Sequence, residues 1–369
     1  MTKRLWKNFD LLLLFITIGI VAIGITLIYS ATISTEADDP LMERSFFRQI
    51  VSASSGVLLL LLAAAINYQF LGSIHWLLYI ATIGILGLVL AVGRVGFGAQ
   101  SWLTWRRAVQ PSELVKVLLI VFLAKYLADK EERMQEPQWI LLSAVFMIPP
   151  VLLIYRQPDF GTAIVLMAIW IGMVFTAGAR LLYLGLLGLG TATIAPVVWF
   201  SLKDYMKQRI LVFLNPASDV SGISYNARQA LISIGSGGWF GKGFLHGTQS
   251  QLYFLRVRHT DYVFSVLCEE FGFIGALVLL LLFLIMLWRI LRAASLAQDA
   301  FGRLIACGVA TMIFFQCFVN IAVNVGLLPV TGLTLPLVSY GGSSLWATLL
   351  GIGLVESVVM RHKKLEFGY

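Results

Sequence analysis

The longest polar passage in the chain, Gly241-Lys-Gly-Phe-Leu-His-Gly-Thr-Gln-Ser-Gln-Leu-Tyr-Phe-Leu-Arg-Val-Arg-His-Thr-Asp261, ends on an aspartate directly before the apolar run 262–268. A carboxylate at such a boundary, beside His259 and just after Arg256 and Arg258, has two uses. It can cap the helix that follows, or it can accept a proton from a reacting group. Glu113 and Lys116, three residues apart in Gln110-Pro-Ser-Glu-Leu-Val-Lys116, share one helix face and can pair. Lys116 is then either a neutralised partner or a cation that faces a cavity and meets a phosphate. Asp159, in Arg156-Gln-Pro-Asp-Phe-Gly-Thr162, reads as a helix cap or a second acid. Glu269 and Glu270 follow Asp261 by eight and nine residues, on the order of 12 Å along a helix. One of them is expected to face a polar cavity, with pairing to another helix as the alternative. The glycine-rich segments Ser233-Ile-Gly-Ser-Gly-Gly238 and Gly241-Lys-Gly243 could turn backbone amides round a phosphate or could simply be turns. Ser339-Tyr-Gly-Gly-Ser-Ser344, after Pro329 and Pro336, predicts irregular backbone, which is tolerated at membrane depth where it lines a cavity or is buried in protein.

The elements that must position these residues are set by composition. Of 369 residues, 59% are hydrophobic and only 12% charged, against roughly a quarter charged in soluble domains. This predicts an all-α integral membrane protein forming one polytopic domain over 1–369. Apolar runs near the spanning length of about 20 residues lie at 11–30, 50–66, 74–92, 112–128, 139–155, 163–179, 181–202, 262–288, 304–328 and 339–360, which predicts ten transmembrane helices. The first run is too long and lacks the small-residue cleavage site of a signal peptide, so it reads as retained. Cys268, Cys307 and Cys317 all sit inside apolar runs and read as packing residues, with neither a disulfide framework nor metal-ligand spacing. No internal repeat, heptad, zinc signature or nucleotide loop is present, and no nucleic-acid partner is expected.

Loop charges orient the spans. Lys3, Arg4 and Lys7 precede the first run, and Arg361, Lys363 and Lys364 follow the last. The positive-inside bias puts both termini in the cytoplasm. Lys125, Lys130, Arg133, Arg180, Arg289, Arg292 and Arg303 fall on the same side. The segment 203–260, between the seventh and eighth runs, is then a large extracytoplasmic loop. It nevertheless carries Lys203, Lys207, Arg209, Arg228, Lys242, Arg256 and Arg258. Long loops translocate largely regardless of charge, so the topology stands, and an anionic extracytoplasmic ligand would account for the excess cation.

Several motifs together carry a resemblance. Gln110-Pro-Ser-Glu113, Gln157-Pro-Asp-Phe-Gly161, Gly241-Lys-Gly-Phe-Leu-His-Gly-Thr-Gln-Ser-Gln251, His259-Thr-Asp261 and Pro336-Leu-Val-Ser-Tyr-Gly-Gly342 resemble the SEDS family (shape, elongation, division, sporulation), in its order and over the whole chain. The His-Gly-Thr-Gln-Ser-Gln stretch is most similar to the elongation branch. The resemblance implies a bacterial cytoplasmic-membrane enzyme, a peptidoglycan glycosyltransferase that polymerises lipid II outside the membrane during cell elongation. It also implies a class B penicillin-binding protein as cross-linking partner, among other membrane proteins of the elongation machinery. Asp261 matches the family's essential aspartate, and Glu113 and Lys116 its fourth-helix pair. The elongation branch usually reads Pro-Glu where this chain has Arg256-Val257.

The residues suit that chemistry. Transfer of a sugar from a lipid pyrophosphate needs a base for the acceptor hydroxyl and positive charge for the leaving group. Asp261 is the expected base. Lys116, Glu113, Asp159, Arg209, Lys242, His259 and Ser339 are the expected substrate-binding set. No resident cofactor or protein metal site is expected, and a divalent cation, Mg or Mn, is the one candidate to share the pyrophosphate's charge. Two other functions compete. A flippase for the lipid-linked precursor would also want cations and a lipid groove, but transporters bind near the midplane between repeated halves. A non-enzymatic elongation scaffold would explain the spans but not a cation-rich loop ending on a carboxylate.

Overall fold

In the computed structural model, residues 6–36, 39–92, 94–96, 99–102, 110–201, 204–215, 222–252, 254–255 and 257–362 are described. Lys3, Arg4, Lys203, Arg256, Lys363 and Lys364, named above, lie outside the described residues. Each of the ten apolar runs is a helix: α1 (Leu11–Thr32), α2 (Ser45–Ala65), α4 (His75–Val92), α5 (Pro111–Ala128), α6 (Pro137–Arg156), α7 (Phe160–Thr176), α8 (Leu181–Ser201), α12 (Val263–Leu296), α13 (Ala300–Asn324) and α14 (Gly342–Met360). Among the described residues seven of these are long and apolar enough to cross a membrane by length and composition alone. The other three are α5, α7 and α8. The charges of α5 and the 17 residues of α7 are the reason two of them fall short.

Four short helices connect the long ones: α3 (Tyr68–Ser73), α9 (Asp204–Leu214), α10 (Ile223–Gly237) and α11 (Thr248–Gln251). A small antiparallel hairpin, β1 (Arg94–Gly96) with β2 (Ala99–Trp102), follows α4. The starts of several helices are written in the sequence. Asp10, Asp159 and Asp299 each accept from the backbone N–H three residues on, and Pro111 and Pro137 open α5 and α6, where a missing N–H is harmless.

The bundle is organised round α13 and α14. Of the apolar window of α14, 83% is buried, against 17% for α4, so α14 is a core helix and α4 faces lipid. Close approach of α14 to α2 depends on Gly353, where a Cβ would come within 2.5 Å of the Leu60 carbonyl oxygen; small residues let membrane helices meet backbone to backbone. The end of the bundle where α1 begins gathers the basic residues. Arg289 is bonded to Asp10 at 2.5 Å, Arg361 donates to the carbonyls of Ala64 and Ala65, and Arg303 pairs with Glu131.

Helix α12 has 34 residues, about 51 Å at 1.5 Å per residue, well beyond the roughly 30 Å of a bilayer core. It is broken at Gly272, with φ 66° and ψ −163°, a conformation open to glycine. The loop after α10 fills the break. Phe273 and Ile274 donate to the carbonyls of Gly238 and Trp239, while Lys242 and Gly243 donate to those of Glu269 and Glu270. A Cβ at Gly272 would lie 2.3 Å from the Gly241 nitrogen. The glycine-rich segment is therefore a backbone patch on a broken helix, and the amides of Lys242 and Gly243 go to carbonyls rather than to a phosphate.

Candidate functional site at the start of α12

Asp261 lies two residues before α12, in the turn that brings the chain back to the bundle. Tyr262 holds the cap position and makes no side-chain cap bond. The first turn is closed from another helix: Asn324 Oδ1, at the end of α13, accepts from the Ser265 N–H at 3.1 Å and from its hydroxyl at 2.7 Å. Asp261 is thus relieved of capping. Its main-chain carbonyl accepts from Asn320 Nδ2 at 3.1 Å and Asn324 Nδ2 at 2.9 Å, and its carboxyl is left to the site.

Burial raises the pKa of that carboxyl to about 6, while the charge of Arg209 and a bond from the Thr260 hydroxyl pull the other way. Arg209 reaches in from α9, with Nη1 donating to the Val330 carbonyl at 3.1 Å. The neighbouring Tyr262 hydroxyl is pushed up, first by burial and then by Asp261. His259 is lowered by burial and by Arg258, against an opposing pull from Glu36, so its imidazole is neutral at pH 7. Its ring meets Tyr340 edge-on at 5.5 Å, and its carbonyl accepts from the Tyr340 N–H at 2.8 Å. Ser339 is a brace: its hydroxyl donates to the Thr260 carbonyl at 2.5 Å and accepts from the Leu335 N–H at 2.9 Å. The irregular backbone expected around Pro336 is present, with Leu337 in the left-handed region at φ 66°.

A second polar cluster sits where α5, α7 and α14 begin. Lys116 Nζ and Glu113 Oε2 are 2.7 Å apart, with the lysine 1% exposed. Asp159 caps α7 through the Thr162 N–H at 3.1 Å, and its other oxygen accepts from Gln110 Nε2 at 3.1 Å and the Ser112 hydroxyl at 3.3 Å. Burial raises the Asp159 carboxyl and Glu113 adds to the rise, while the Thr162 bonds and Lys116 oppose it. Lys116 is enclosed, so the pairing that its spacing allows is what forms. The loop between α13 and α14 touches both clusters. Its Leu333 carbonyl accepts from Asn320 at 2.8 Å, and its Thr331 and Leu333 pack on Gly161, where a Cβ would meet the Thr331 oxygen at 2.9 Å.

Lys242 belongs to a third place. Its Nζ donates to Glu269 Oε1 at 2.9 Å and the Thr248 hydroxyl at 2.8 Å, about two turns down α12 from Asp261. Glu270 accepts from Ser30 on α1. Glu270 meets another helix, the alternative weighed against a cavity-facing acid, whereas Glu269 pairs with Lys242 of the loop; Glu269 Oε2 and Glu270 Oε2 are buried without a hydrogen bond. Asp261, His259, Arg209 and Ser339 thus come together, Glu113, Lys116 and Asp159 form a neighbouring cluster, and Lys242 is apart. Among the described residues no three His, Cys, Asp or Glu side chains are grouped to hold a metal ion. Asn320 and Asn324 escaped sequence reasoning. Their signal was there: two amides at i and i+4 inside an apolar run share one helix face, and intramembrane polar groups are rarely idle.

The family model for the FtsW, RodA and SpoVE cell cycle proteins matches residues 10–364. Over 346 residues the chain is 39% identical to the peptidoglycan glycosyltransferase MrdB of Escherichia coli K12, covering 92% of each. It is 38% identical over 362 residues to the stage V sporulation protein E of Bacillus subtilis, covering 95% of this chain and 96% of the relative. Among solved structures, a chain of a peptidoglycan synthase complex that coordinates polymerization and crosslinking superposes with a TM-score of 0.78 at 36% identity, over 96% of this chain and 97% of that one. The rod shape determining protein RodA of Thermus thermophilus superposes with a TM-score of 0.69 at 34% identity, over 96% of this chain and 98% of that one.

Proposed function

The chain belongs to the FtsW, RodA and SpoVE family of cell cycle proteins, and from that premise we propose that it is the peptidoglycan glycosyltransferase of cell elongation, with Asp261 as its general base. The observation that carries the reading is the freed Asp261 carboxyl. The first turn of α12 is capped by Asn324, the Asp261 peptide is held by two amides, and its carboxyl lies within the field of Arg209. A carboxylate raised to about 6 is ionised at neutral pH and still basic enough to take a proton.

In the proposed reaction the substrate is lipid II, a disaccharide on a polyprenyl pyrophosphate. Asp261 accepts the proton of the acceptor sugar's hydroxyl as that oxygen bonds to the donor's anomeric carbon. The bond from that carbon to the pyrophosphate oxygen breaks, and its electron pair leaves with the lipid pyrophosphate. Arg209 offsets the charge that develops there. Inversion at carbon needs one base and no covalent intermediate. Ser339 and His259 shape the wall of the site; Glu113, Lys116 and Asp159 form the adjoining floor. No resident cofactor is assigned, and Mg or Mn would arrive with the pyrophosphate itself.

The basic end of the bundle then faces the cytoplasm with both termini, and Asp261 faces outward in the bacterial cytoplasmic membrane. A class B penicillin-binding protein is the proposed partner, supported by the likeness to a chain of a polymerizing and crosslinking complex. One observation favours a second reading, lipid-precursor transport: the enclosed Glu113–Lys116 pair beside Asp159 is the kind of ionisable group that marks transport pathways. Asp261→Asn separates the two. Asparagine removes the proton acceptor at nearly constant shape. Purified with its partner and given lipid II, this variant is expected to lose polymerisation by about 10²–10⁴-fold. Polymerisation at the parental rate sinks the assignment, and movement of lipid II between leaflets without polymer by the parent protein favours the transporter.

A further inference from the structure

We propose that Asn320 and Asn324 are positioning residues for the transfer reaction, which fix the Asp261 peptide and take over the capping of α12 so that the carboxyl can serve the substrate. The inference rests on Asp261 being the base. Its physical ground is the use of every amide hydrogen. Asn320 Nδ2 donates to the Asp261 carbonyl at 3.1 Å and to the Leu333 carbonyl at 2.8 Å. Asn324 Nδ2 donates to the Asp261 carbonyl at 2.9 Å and to the Asn320 carbonyl at 2.9 Å. Asn324 Oδ1 accepts both bonds from Ser265. The two side chains are 2% and 0% exposed.

Buried amides are costly unless bonded, and two of them converging on one carbonyl is more than chain reversal requires. A carbonyl has two lone pairs, and here both partners come from one helix, α13. That fixes the peptide plane of Asp261 and so the line along which its Cβ leaves the chain. Asn324 adds the decisive part. Aspartate is among the best helix caps, and a carboxylate near the start of α12 would otherwise turn back to the open N–H groups. Tyr262 holds the cap position, and Asn324 Oδ1 makes the cap bond to the Ser265 N–H, so the first turn of α12 is capped without the Asp261 carboxyl.

Asn320 also joins the Asp261 turn to Leu333, and Leu333 packs on Gly161 beside Asp159. The same side chain therefore sets the spacing between the base and the neighbouring polar cluster. Among the described residues, the charged and titratable groups acting on the Asp261 carboxyl are Arg209 from α9 and Tyr262 next to it in the chain; Asn320 and Asn324 of α13 approach it as neutral amides. Loosening the peptide lets the carboxyl move toward water.

The test is the pH profile of lipid II polymerisation by the full chain with its partner, measured for Asn320→Leu, a swap of similar volume, and for Asp261→Asn. Asn320→Leu is expected to lower the plateau rate by up to about 10²-fold, the scale of a 1 Å misplacement, with KM for lipid II unchanged. Its acidic limb should move to lower pH as Asp261 gains water. A loss of folded protein would lower the plateau and leave the limb in place, and that result overturns the proposal, as does a rise in KM alone. Should Asn320→Leu not fold, Asn320→Ser, which keeps one hydroxyl donor, is read by the same two quantities. Parental plateau and limb in the Asn320 variant, with Asp261→Asn inactive, overturns the positioning role alone. Parental activity in Asp261→Asn overturns the base and, with it, the positioning role.

Discussion

Two buried clusters adjoin the same loop, and they handle charge in opposite ways. In the α5–α7 cluster every ionisable head is engaged by a side chain or an amide: Lys116 with Glu113 at 2.7 Å, Asp159 with Thr162, Gln110 and Ser112. At the start of α12 the strongest bonds to Asp261 go to its carbonyl, and the carboxyl is left with burial, one hydroxyl and the charge of Arg209. The first arrangement minimises the cost of charge in a low-dielectric place and fixes structure. The second keeps a carboxylate at higher energy than water would, which is the condition for a base with work to do. Two sites of similar composition thus differ by where their hydrogen bonds land.

The comparison breaks most visibly if one partner of the paired cluster is removed. Lys116→Ala leaves Glu113 buried and unpaired, which costs about 3–5 kcal/mol, and the variant is expected to melt far below the parent in detergent. Lys116→Met combined with Glu113→Gln removes both charges at similar volume and should recover most of that stability. If the double variant is stable and polymerises lipid II normally, the pair is structural and plays no part in substrate binding. If it is stable but inactive, Lys116 contributes to the reaction beyond its pairing, and the two clusters are less different than their hydrogen bonds suggest.

A smaller effect sharpens the other half. Arg209→Ala removes the charge that opposes burial at Asp261. Its loss raises the carboxyl further, so the acidic limb of activity should move to higher pH. The plateau should also fall, by roughly 10²-fold if the guanidinium stabilises the leaving pyrophosphate as one oxyanion-type donor does. A lowered plateau with an unmoved limb would place Arg209 on the substrate but away from Asp261.

Much of this was legible in the sequence. The ten helices follow from runs of apolar residues, because a chain that leaves water must close its backbone bonds within each segment. The Glu113–Lys116 pair follows from i,i+3 spacing, and Asp159 from its place before Phe160. What escaped was long-range. Nothing near Gly241 in the sequence says that its loop fills a break at Gly272, because the break is filled by carbonyls that any residue carries. By sequence Lys242 belongs with the loop cations for the same reason, since its partner Glu269 stands 27 residues away. Asn320 and Asn324 act on a residue 59 and 63 positions earlier, and only the packing of α13 against the start of α12 brings them there.

The finest test of the difference between the clusters is thermodynamic and needs no substrate. Asp261 has a folded-state pKa of about 6, against about 3.9 for an unperturbed aspartate. The folded protein therefore binds this proton more tightly than the unfolded chain. Below about pH 4 both states are protonated and the group contributes nothing. As pH rises through the window from about 4 to 6, the unfolded chain gives up its proton first, and folding stability falls. Above about pH 6 the loss is complete. At about 1.4 kcal/mol per unit, a two-unit difference sets a ceiling of about 3 kcal/mol, reduced by the solvent that reaches the half-buried carboxyl. Asp261→Asn does not titrate, so its melting temperature should exceed the parent's at pH 8, with the gap closing as the pH falls to 4. In the paired cluster the order is reversed: Glu113→Gln alone strands the Lys116 ammonium and should lower the melting temperature at pH 8. An Asp261→Asn variant less stable than the parent at pH 8 would mean that the carboxylate holds the fold together, and the contrast between a paired cluster and a poised one would then be lost.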